Sequence, residues 1–207
     1  MVKAKLGVLI SGSGSNLQAI IDWIAAGKLD AEVAVVISNK SEAFGLTRAK
    51  KYGIPAITVE YNKFVDDDAF NQAILDNLIK YKVDWVVLAG YMRLLGKSIL
   101  DSYPMRVVNL HPALLPSFPG AHAISEALAY GVRITGVTVH FADDSYDTGP
   151  IILQDFVPVH QNDTEAELRR RVQKIEHDLL PRAIRLLVEG RIKVEGRKIK
   201  VLGRQKP

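Results

Sequence analysis

The sequence predicts an α/β protein with an open, mostly parallel sheet flanked by helices and with antiparallel strands in its C-terminal part. Three observations lead to this prediction. Short β-branched runs alternate with helical patterns over the first 110 residues, and a loop rich in glycine and serine follows the first apolar run. After residue 130 a run of alternating apolar and polar residues appears, which is typical of a strand with one exposed face.

Each element of the N-terminal half follows from its residue pattern. Apolar and β-branched runs predict strands at residues 6–10, 32–38, 56–59, 83–89 and 106–110. Apolar residues at helical spacing predict helices between them, at residues 17–24, 44–52 and 66–80. Gly27 and Gly53 follow two of these helices, where a glycine commonly ends a helix. Strands that alternate with helices are joined by crossovers and therefore run parallel.

The C-terminal part follows a different pattern. Residues 134–142 and 151–157 predict two strands that add antiparallel edges to the sheet. Residues 193–202 predict a terminal hairpin with its turn at Glu195-Gly196. A long helix begins between the second of these strands and the hairpin, with Thr164 and Glu167 as its capping box. Pro181 is expected to kink or break this helix, because a proline ring clashes with the preceding turn.

Composition limits the class of protein and its partners. The chain has 207 residues, about the length of one domain, and 48% are hydrophobic, which excludes a wholly disordered chain. No run reaches the ~18 apolar residues of a transmembrane helix, and the first apolar run is too short for a signal peptide. The absence of cysteine fits a cytoplasmic protein. The net charge of +4 suits a small anionic ligand at least as well as nucleic acid, for which no motif is present.

The first predicted strand leads into the loop Ser11-Gly12-Ser13-Gly14-Ser15-Asn16, directly before a helix. Its glycines let the backbone approach a ligand, and the N–H groups that begin the helix favour an anion such as phosphate. A dinucleotide fingerprint needs a third glycine where Leu17 stands and an acid where Ser38 and Asn39 stand. A nucleotide-binding P-loop needs a lysine, which this loop lacks. The loop therefore predicts a different phosphate site, with a merely tight turn as the alternative.

Asn109 and His111 lie at the carboxyl end of the fifth predicted strand, where open α/β sheets bind ligands. Alternation places both on one side, where an amide can stabilise an oxyanion and an imidazole can move a proton. This pair suits acyl transfer, and a hydrogen-bonded loop histidine is the alternative. The acidic loop at residues 143–150 either supplies a carboxylate that orients a histidine and raises its pKa, or is a solvated turn. The five histidines match no known metal-ligand spacing, so we predict no metal.

Four segments, in this order, carry a resemblance to a known family: Leu9-Ile-Ser-Gly-Ser-Gly-Ser-Asn-Leu17, Leu88-Ala-Gly-Tyr-Met-Arg93, Asn109-Leu-His-Pro-Ala-Leu-Leu-Pro116 and Tyr146-Asp-Thr-Gly-Pro150. From Leu6 to about Gly190 the chain resembles the folate-dependent phosphoribosylglycinamide formyltransferases. The resemblance implies formyl transfer from 10-formyltetrahydrofolate to the amino group of glycinamide ribonucleotide, in purine synthesis. It also implies one domain of Rossmann-like formyltransferase fold over residues 1–207, with a phosphate-binding half at about 1–100 and a catalytic and folate-binding half at about 101–207.

The resemblance further implies roles for particular residues. Those expected to hold the ribonucleotide, at its phosphate and ribose, are Gly14, Ser15, Asn16, Gln173 and Glu176. Those expected to line the folate pocket are Met92, Arg93, Leu94, Leu95, Asn109, Ala142 and Asp143. In catalysis Asn109 stabilises the oxyanion, His111 transfers a proton between the amine and the folate nitrogen, and Asp147 orients His111 or relays protons through water. Some relatives carry arginine where Asp67 stands, at the folate tail, and lysine where Gln173 stands.

Other proteins with a similar core are the alternatives. Methionyl-tRNA formyltransferase carries an additional C-terminal domain and formyltetrahydrofolate hydrolase an N-terminal regulatory domain, and we expect neither here. A phosphoribosyl- or nucleotide-binding module without activity keeps the glycine loop but does not need Asn109, His111 and Asp147. We therefore expect a cytoplasmic enzyme, monomer or homodimer, that acts on small molecules and binds neither nucleic acid nor a membrane.

Overall fold

Nine strands and six α-helices make up residues 3–203, the part of the chain that the computed structural model describes. The strands are β1 (Ala4–Ile10), β2 (Ala31–Ser38), β3 (Ala56–Thr58), β4 (Trp85–Leu88), β5 (Val107–His111), β6 (Ile134–Phe141), β7 (Ile151–Pro158), β8 (Ile192–Glu195) and β9 (Lys198–Val201). The helices are α1 (Ser15–Ala25), α2 (Phe44–Lys51), α3 (Asp67–Lys80), α4 (Lys97–Ser102), α5 (Ala123–Tyr130) and α6 (Glu165–Val188).

Seven of the strands form one sheet, in the order β3-β2-β1-β4-β5-β6-β7. The pairs among β1 to β4 and between β4 and β5 are parallel, while β6 and β7 pair antiparallel. The predicted fold class is therefore confirmed. The chain divides into two compact units, one ending at Asn109 and the other beginning at Leu110. The single domain predicted over residues 1–207 stays a prediction.

β1 is the centre of the first unit. It pairs with β2 on one side and β4 on the other, and Leu6, Val8, Leu9 and Ile10 are completely buried. Full burial of a side chain of this size stabilises the fold by about 1.5–3 kcal/mol. A Cβ at Gly7 would lie 2.6 Å from Leu78 of α3, so this glycine lets the helix pack directly on the strand. The glycine loop follows β1, the segment 92–95 follows β4, and Asn109 lies two residues before the end of β5. Because β1, β4 and β5 run parallel, all three lie towards the same edge of the sheet.

β6 and β7 form the antiparallel part of the second unit, and α6 packs on both. The expectation that one face of β6 is exposed is wrong, because every residue from Thr135 to Phe141 is buried. Two polar residues of the alternation, Thr138 and His140, are buried with hydrogen-bond partners instead of facing water. Thr138, for example, donates to the carbonyl of Ala113 over 2.7 Å. The polar face of β6 therefore holds neighbouring backbone in place.

Pro181 does not break α6, which continues from Glu165 to Val188. Of the predicted kink or break, the break is wrong because Leu179, Leu180 and Ala183 are buried on both sides of the proline, and their burial outweighs one lost backbone hydrogen bond. The kink stays a prediction. The predicted capping box of Thr164 and Glu167 and the terminal hairpin are present. Helices α4 and α5 were not predicted, because six and eight residues are too few to show a clear apolar period. No helix within residues 3–203 is long and apolar enough to cross a membrane.

Candidate active site

Asp147 lies between two buried histidines of the second unit. Its Oδ2 atom is 3.3 Å from Nδ1 of His111, and its Oδ1 atom is 3.5 Å from Nε2 of His140. Only 3% of His111 and 1% of His140 are exposed, together with 8% of the Asp147 side chain. A buried carboxylate is costly without partners. Here the end of β5 and the strand β6 supply them.

Backbone carbonyls hold the other ring nitrogens of both histidines. Nε2 of His111 is 2.7 Å from the Phe118 carbonyl oxygen, and Nδ1 of His140 is 2.8 Å from the Phe141 carbonyl oxygen. Because a carbonyl oxygen can only accept, these two nitrogens carry hydrogen. The remaining nitrogens therefore face Asp147, where a proton can be shared. Within residues 3–203 no group of three or more histidines and acids is arranged to hold a metal ion.

Left-handed backbone brings the partners of this cluster together. Asp147 has a φ of 57° and Phe118 a φ of 53°, a region that residues other than glycine rarely adopt. The N–H of Gly120 donates to Oδ2 of Asp147 over 2.8 Å. Such conformations persist where surrounding contacts hold them, and they concentrate at functional sites.

Two side chains of the antiparallel strands fix the chain that follows His111. The Thr138 hydroxyl donates to the Ala113 carbonyl and accepts from the N–H of Leu115 over 3.1 Å. The Gln154 amide donates to the Leu115 carbonyl and to the Thr138 hydroxyl, each over 3.0 Å. β6 and β7 therefore hold the loop after β5, and with it the imidazole of His111.

Burial lowers the pKa of His111 below its ordinary value of 6.5. The charge of Asp147 and the Phe118 carbonyl act in the opposite direction, but burial outweighs them. The expectation that a carboxylate partner raises the histidine pKa is confirmed for Asp147, while burial, which that expectation did not include, makes the net shift downward. His111 is neutral near pH 7 and can accept a proton.

Asp147 has the opposite balance of effects. Burial raises its pKa, but the hydrogen bonds from His140 and from the N–H of Gly120, with the nearby His111, outweigh burial. The pKa of Asp147 consequently lies below its ordinary value of 3.8. The carboxylate stays ionised at neutral pH and stabilises a positive charge on His111 when a proton arrives.

The other two aspartates of the acidic loop have local partners. The Asp143 carboxylate accepts from the Thr148 hydroxyl over 2.8 and 2.9 Å. The Asp144 carboxylate is exposed and accepts from the hydroxyl of the next residue over 3.3 Å. Of the three candidates, the structure therefore brings Asp147 to His111.

Sequence reasoning missed His140. It lies in the alternating run, where a polar residue was expected to face water. The one available signal was its position near the carboxyl end of a strand, which Thr138 shares. Its partnership with Asp147 depends on a residue from the following loop, which the alternation does not indicate.

We expect His140→Ala to raise the pKa of Asp147, which loses a hydrogen bond, and that of His111, whose pKa His140 lowers. The kcat should fall about 3- to 10-fold, the usual value of one hydrogen bond. His140→Gln keeps an N–H donor that cannot titrate, so it should retain most of the kcat while still raising the His111 pKa. NMR titration of the His111 ring measures that pKa. An unchanged value in both variants contradicts the coupling.

The glycine loop of the first unit leads directly into α1. Gly14 precedes the helix with a left-handed backbone, φ 69°, and no described side chain caps the helix. The first intrahelical bond runs from the N–H of Gln18 to the Gly14 carbonyl over 3.0 Å. The backbone N–H groups of Ser15 and Asn16 therefore begin a helix without a side-chain cap, an arrangement that favours an anion.

The two glycines of this loop differ in their surroundings. A Cβ at Gly14 would lie 2.6 Å from Cα of Gly45, so the loop packs closely on α2 at that point. The N–H of Gly45 donates to the Gly12 carbonyl over 3.0 Å, and Arg48 donates to the Ser13 carbonyl over 2.9 Å. A Cβ at Gly12 would meet nothing within 4 Å. The fold therefore requires glycine at position 14, whereas position 12 has open space beside it.

Ser11 connects this loop to the segment that follows β4, a role that the sequence did not indicate. Its hydroxyl donates to Oδ1 of Asn39 over 2.7 Å and accepts from the N–H of Met92 over 2.9 Å. Met92 and Leu94 are 67% and 40% exposed, while Leu95 is buried. Two exposed apolar side chains at a strand end suit a planar, largely apolar ligand.

Arg93 contacts an aromatic ring and a carboxylate. Its guanidinium lies 3.6 Å from the centroid of the Tyr61 ring and 3.1 Å from Oδ1 of Asp67. Asp67 therefore pairs with the charge of Arg93.

The remaining predicted residues lie in the second unit. Gln173 and Glu176 are one turn apart on α6, and Glu176 is 8% exposed while Gln173 is half-buried. Ala142 and Asp143 are half-buried and follow β6 directly. Their contacts with a ligand stay predictions.

Comparison with known proteins identifies the family. The model of the formyl transferase family matches residues 4–184. Phosphoribosylglycinamide formyltransferase from Escherichia coli (strain K12) is 43% identical over 187 residues, which cover 90% of this chain and 88% of that protein. The crystal structure of glycinamide ribonucleotide transformylase 1 from Symbiobacterium toebii has a TM-score of 0.96 and 47% identity, over 97% of this chain and 95% of that one.

Some relatives are much longer. The trifunctional purine biosynthetic protein adenosine-3 of Chironomus tentans is 41% identical over 194 residues, which cover 93% of this chain but only 14% of that protein. These matches confirm the resemblance that the sequence motifs carry. The chain therefore belongs to the formyl transferase family, and within it to the phosphoribosylglycinamide formyltransferases.

Proposed function

We propose that this chain transfers the formyl group of 10-formyltetrahydrofolate to the amino group of glycinamide ribonucleotide, with Asn109, His111 and Asp147 as its catalytic residues. The observation that carries the assignment is the buried pair of His111 and Asp147 at the carboxyl end of β5. Membership of the family supports the reaction itself. A neutral imidazole beside an ionised carboxylate supports the proton transfer that the reaction needs.

The reaction forms a bond between the amino nitrogen and the formyl carbon and breaks the bond between that carbon and N10 of the folate. Attack by the amine gives a tetrahedral intermediate, whose negative oxygen the Asn109 amide stabilises. Because Nε2 of His111 donates to the Phe118 carbonyl, the proton that the amine loses is accepted at Nδ1, on the side of Asp147, and is passed on to N10 as N10 leaves. Asp147 orients the ring and stabilises the imidazolium between these steps. The products are formylglycinamide ribonucleotide and tetrahydrofolate.

The substrates are assigned to the residues that the family pattern indicates. The phosphate of the ribonucleotide is assigned to the backbone of Gly14, Ser15 and Asn16, where α1 begins without a side-chain cap. Gln173 is assigned to the neighbourhood of the phosphate and Glu176 to the ribose. The folate pocket is assigned to Met92, Arg93, Leu94, Leu95, Asn109, Ala142 and Asp143.

The same proposal places the enzyme in the cytoplasm, as a monomer or homodimer of one domain. Its partners are the two small-molecule substrates, without metal, nucleic acid or membrane. The absence of cysteine and the mild net charge of +4 support this setting.

Turnover by the purified chain tests the proposal. The absorbance change as the folate loses its formyl group is followed with and without glycinamide ribonucleotide. We expect deformylation that depends on the ribonucleotide. Equal rates in both reactions would instead indicate hydrolysis of the folate. No deformylation in either reaction would indicate a binding protein without activity. Both of these results overturn the proposal.

Gly12→Ala tests the phosphate assignment without disturbing the fold. The added Cβ projects into open space beside the loop, so the KM for the ribonucleotide should rise about tenfold, equivalent to about 1.4 kcal/mol of binding. The KM for the folate and the Tm should stay unchanged. Gly203→Ala is the matched control, because a Cβ there also meets nothing within 4 Å. If both variants keep the ribonucleotide KM of the unsubstituted chain, the phosphate does not lie beside Gly12.

A further inference from the structure

The hairpin of β8 and β9 has no assigned role in the proposed reaction, yet hydrogen bonds and ion pairs stabilise both its base and its turn. At its base Arg191 donates from Nε to the Leu202 carbonyl over 3.0 Å, and the Leu202 N–H donates to the Arg191 carbonyl over 2.9 Å. Near its turn the Glu195 carboxylate pairs with Lys193 at 2.9 Å and Lys200 at 2.6 Å. β9 lies against β7. These contacts therefore hold the hairpin tip in place within the second unit.

The tip of this hairpin reaches the acidic loop. Gly196 has a φ of 61°, as a tight turn requires, and Arg197 follows it. Nη2 of Arg197 donates to the Thr148 carbonyl oxygen over 2.8 Å. Thr148 is the residue directly after Asp147. The arginine therefore holds the backbone one residue from the carboxylate that contacts His111.

The acidic loop is fixed by packing where it enters β7. A Cβ at Gly149 would lie 1.7 Å from the Phe141 carbonyl oxygen, and the N–H of Phe141 donates to the Pro150 carbonyl over 3.0 Å. Across the loop, the Thr148 hydroxyl binds the Asp143 carboxylate. Residues 144–146 between these contacts are exposed. The anchored part of the loop is thus short, and Thr148 is central to it.

Asp147 depends on such anchors because its backbone is left-handed. Its carboxylate has partners in His111, His140 and the N–H of Gly120. The backbone next to it is held by Arg197, whose charged guanidinium makes a stronger hydrogen bond to a carbonyl than a neutral donor does.

We propose that Arg197 is a positioning residue: through the Thr148 carbonyl it holds the acidic loop in the conformation that places Asp147 against His111. The inference rests on the proposed function for the role of Asp147 in the reaction. It adds the β8–β9 hairpin to the elements that build the site.

Arg197→Ala tests the inference against two matched variants. Arg197→Ala should lower the kcat about 3- to 10-fold, the value of one hydrogen bond, and leave the KM for the ribonucleotide unchanged. Arg197→Lys keeps a charged donor and should recover most of the kcat. Lys198→Ala removes the same charge from the neighbouring residue of the hairpin and should change neither quantity.

NMR titration of His111 in the ligand-free protein is the second measurement. Asp147 raises the pKa of His111, so a displaced carboxylate should leave that pKa lower in Arg197→Ala than in the unsubstituted chain. The other groups that act on His111, namely His140, Glu126 and the Phe118 carbonyl, are the same in all variants.

This titration needs no substrate, so it decides the inference even if the chain does not use glycinamide ribonucleotide. An Arg197→Ala variant with the same His111 pKa as Lys198→Ala overturns it. A lower kcat accompanied by a lower Tm, and not recovered by Arg197→Lys, also overturns it, because the hairpin then serves stability alone.

Discussion

Replacing Asn109 with alanine is expected to lower the kcat about 10²- to 10³-fold, the usual cost of removing one oxyanion donor. The amide N–H is needed more in the transition state than in the ground state, so the KM for the ribonucleotide should change little. Asn109 is half-buried between the buried Val108 and Leu110 of β5. The strand should therefore keep its place when this side chain is shortened. Steady-state kinetics with both substrates measure the effect.

Asn109→Asp is the matched variant for this measurement. It keeps the shape of the side chain, removes the N–H donor and places a negative charge where the oxyanion develops. The loss of kcat should be at least as large as in Asn109→Ala. Circular dichroism checks that both variants fold. A loss below about tenfold in a folded variant assigns Asn109 a structural role only.

Asp147→Asn is expected to lower the kcat about 10²-fold, within the range of general acid–base catalysis, and to lower the pKa of His111 further. The sign follows from charge: Asp147 is the largest influence that raises this pKa, so without it the effect of burial is opposed less. The reaction needs neutral His111, so the activity is lost as the pH falls through the His111 pKa. In Asp147→Asn this acid limb should therefore lie at lower pH than in the unsubstituted chain. The pH profile of kcat/KM and NMR titration of His111 measure the two effects.

Asp144→Asn is the control for that substitution. It makes the same change three residues earlier, at an exposed carboxylate bound to the Ser145 hydroxyl. Both the kcat and the His111 pKa should stay as they are. If Asp144→Asn shifts the His111 pKa more than Asp147→Asn does, the contact between Asp147 and His111 is not the one that matters in solution.

The main helices and strands could be predicted because their apolar residues repeat over enough positions to show a helical or strand period. The strand at residues 6–10 and the loop after it are such a case, and the structure places β1 at Ala4–Ile10 with α1 beginning at Ser15. Elements of six to eight residues, such as α4 and α5, show no clear period. Pro181 is a different kind of case: a local rule predicts a kink or a break, and the break is absent because burial of the residues around the proline outweighs the rule.

The residues of the candidate site likewise divide into those that could be predicted from the sequence and those that could not. Asn109 and His111 could be predicted because both belong to one strand and two residues separate them. His140 could not, because it becomes part of the site only through Asp147, on the loop that follows β6. Arg197 was also missed, since its contact with Thr148 joins residues 49 positions apart.

The sequence by itself determined the fold class, the position of the glycine loop before α1 and the amide–imidazole pair, because each depends on residues that are neighbours in the chain. The residue pattern left open which aspartate of the acidic loop contacts His111, and only the family resemblance pointed to Asp147. The tertiary structure shows that contact, which depends on the left-handed backbone of Asp147 and on the Gly120 N–H. It also decided the direction of the His111 pKa. Burial, the largest influence on that pKa, arises only when strands distant in sequence pack around the ring.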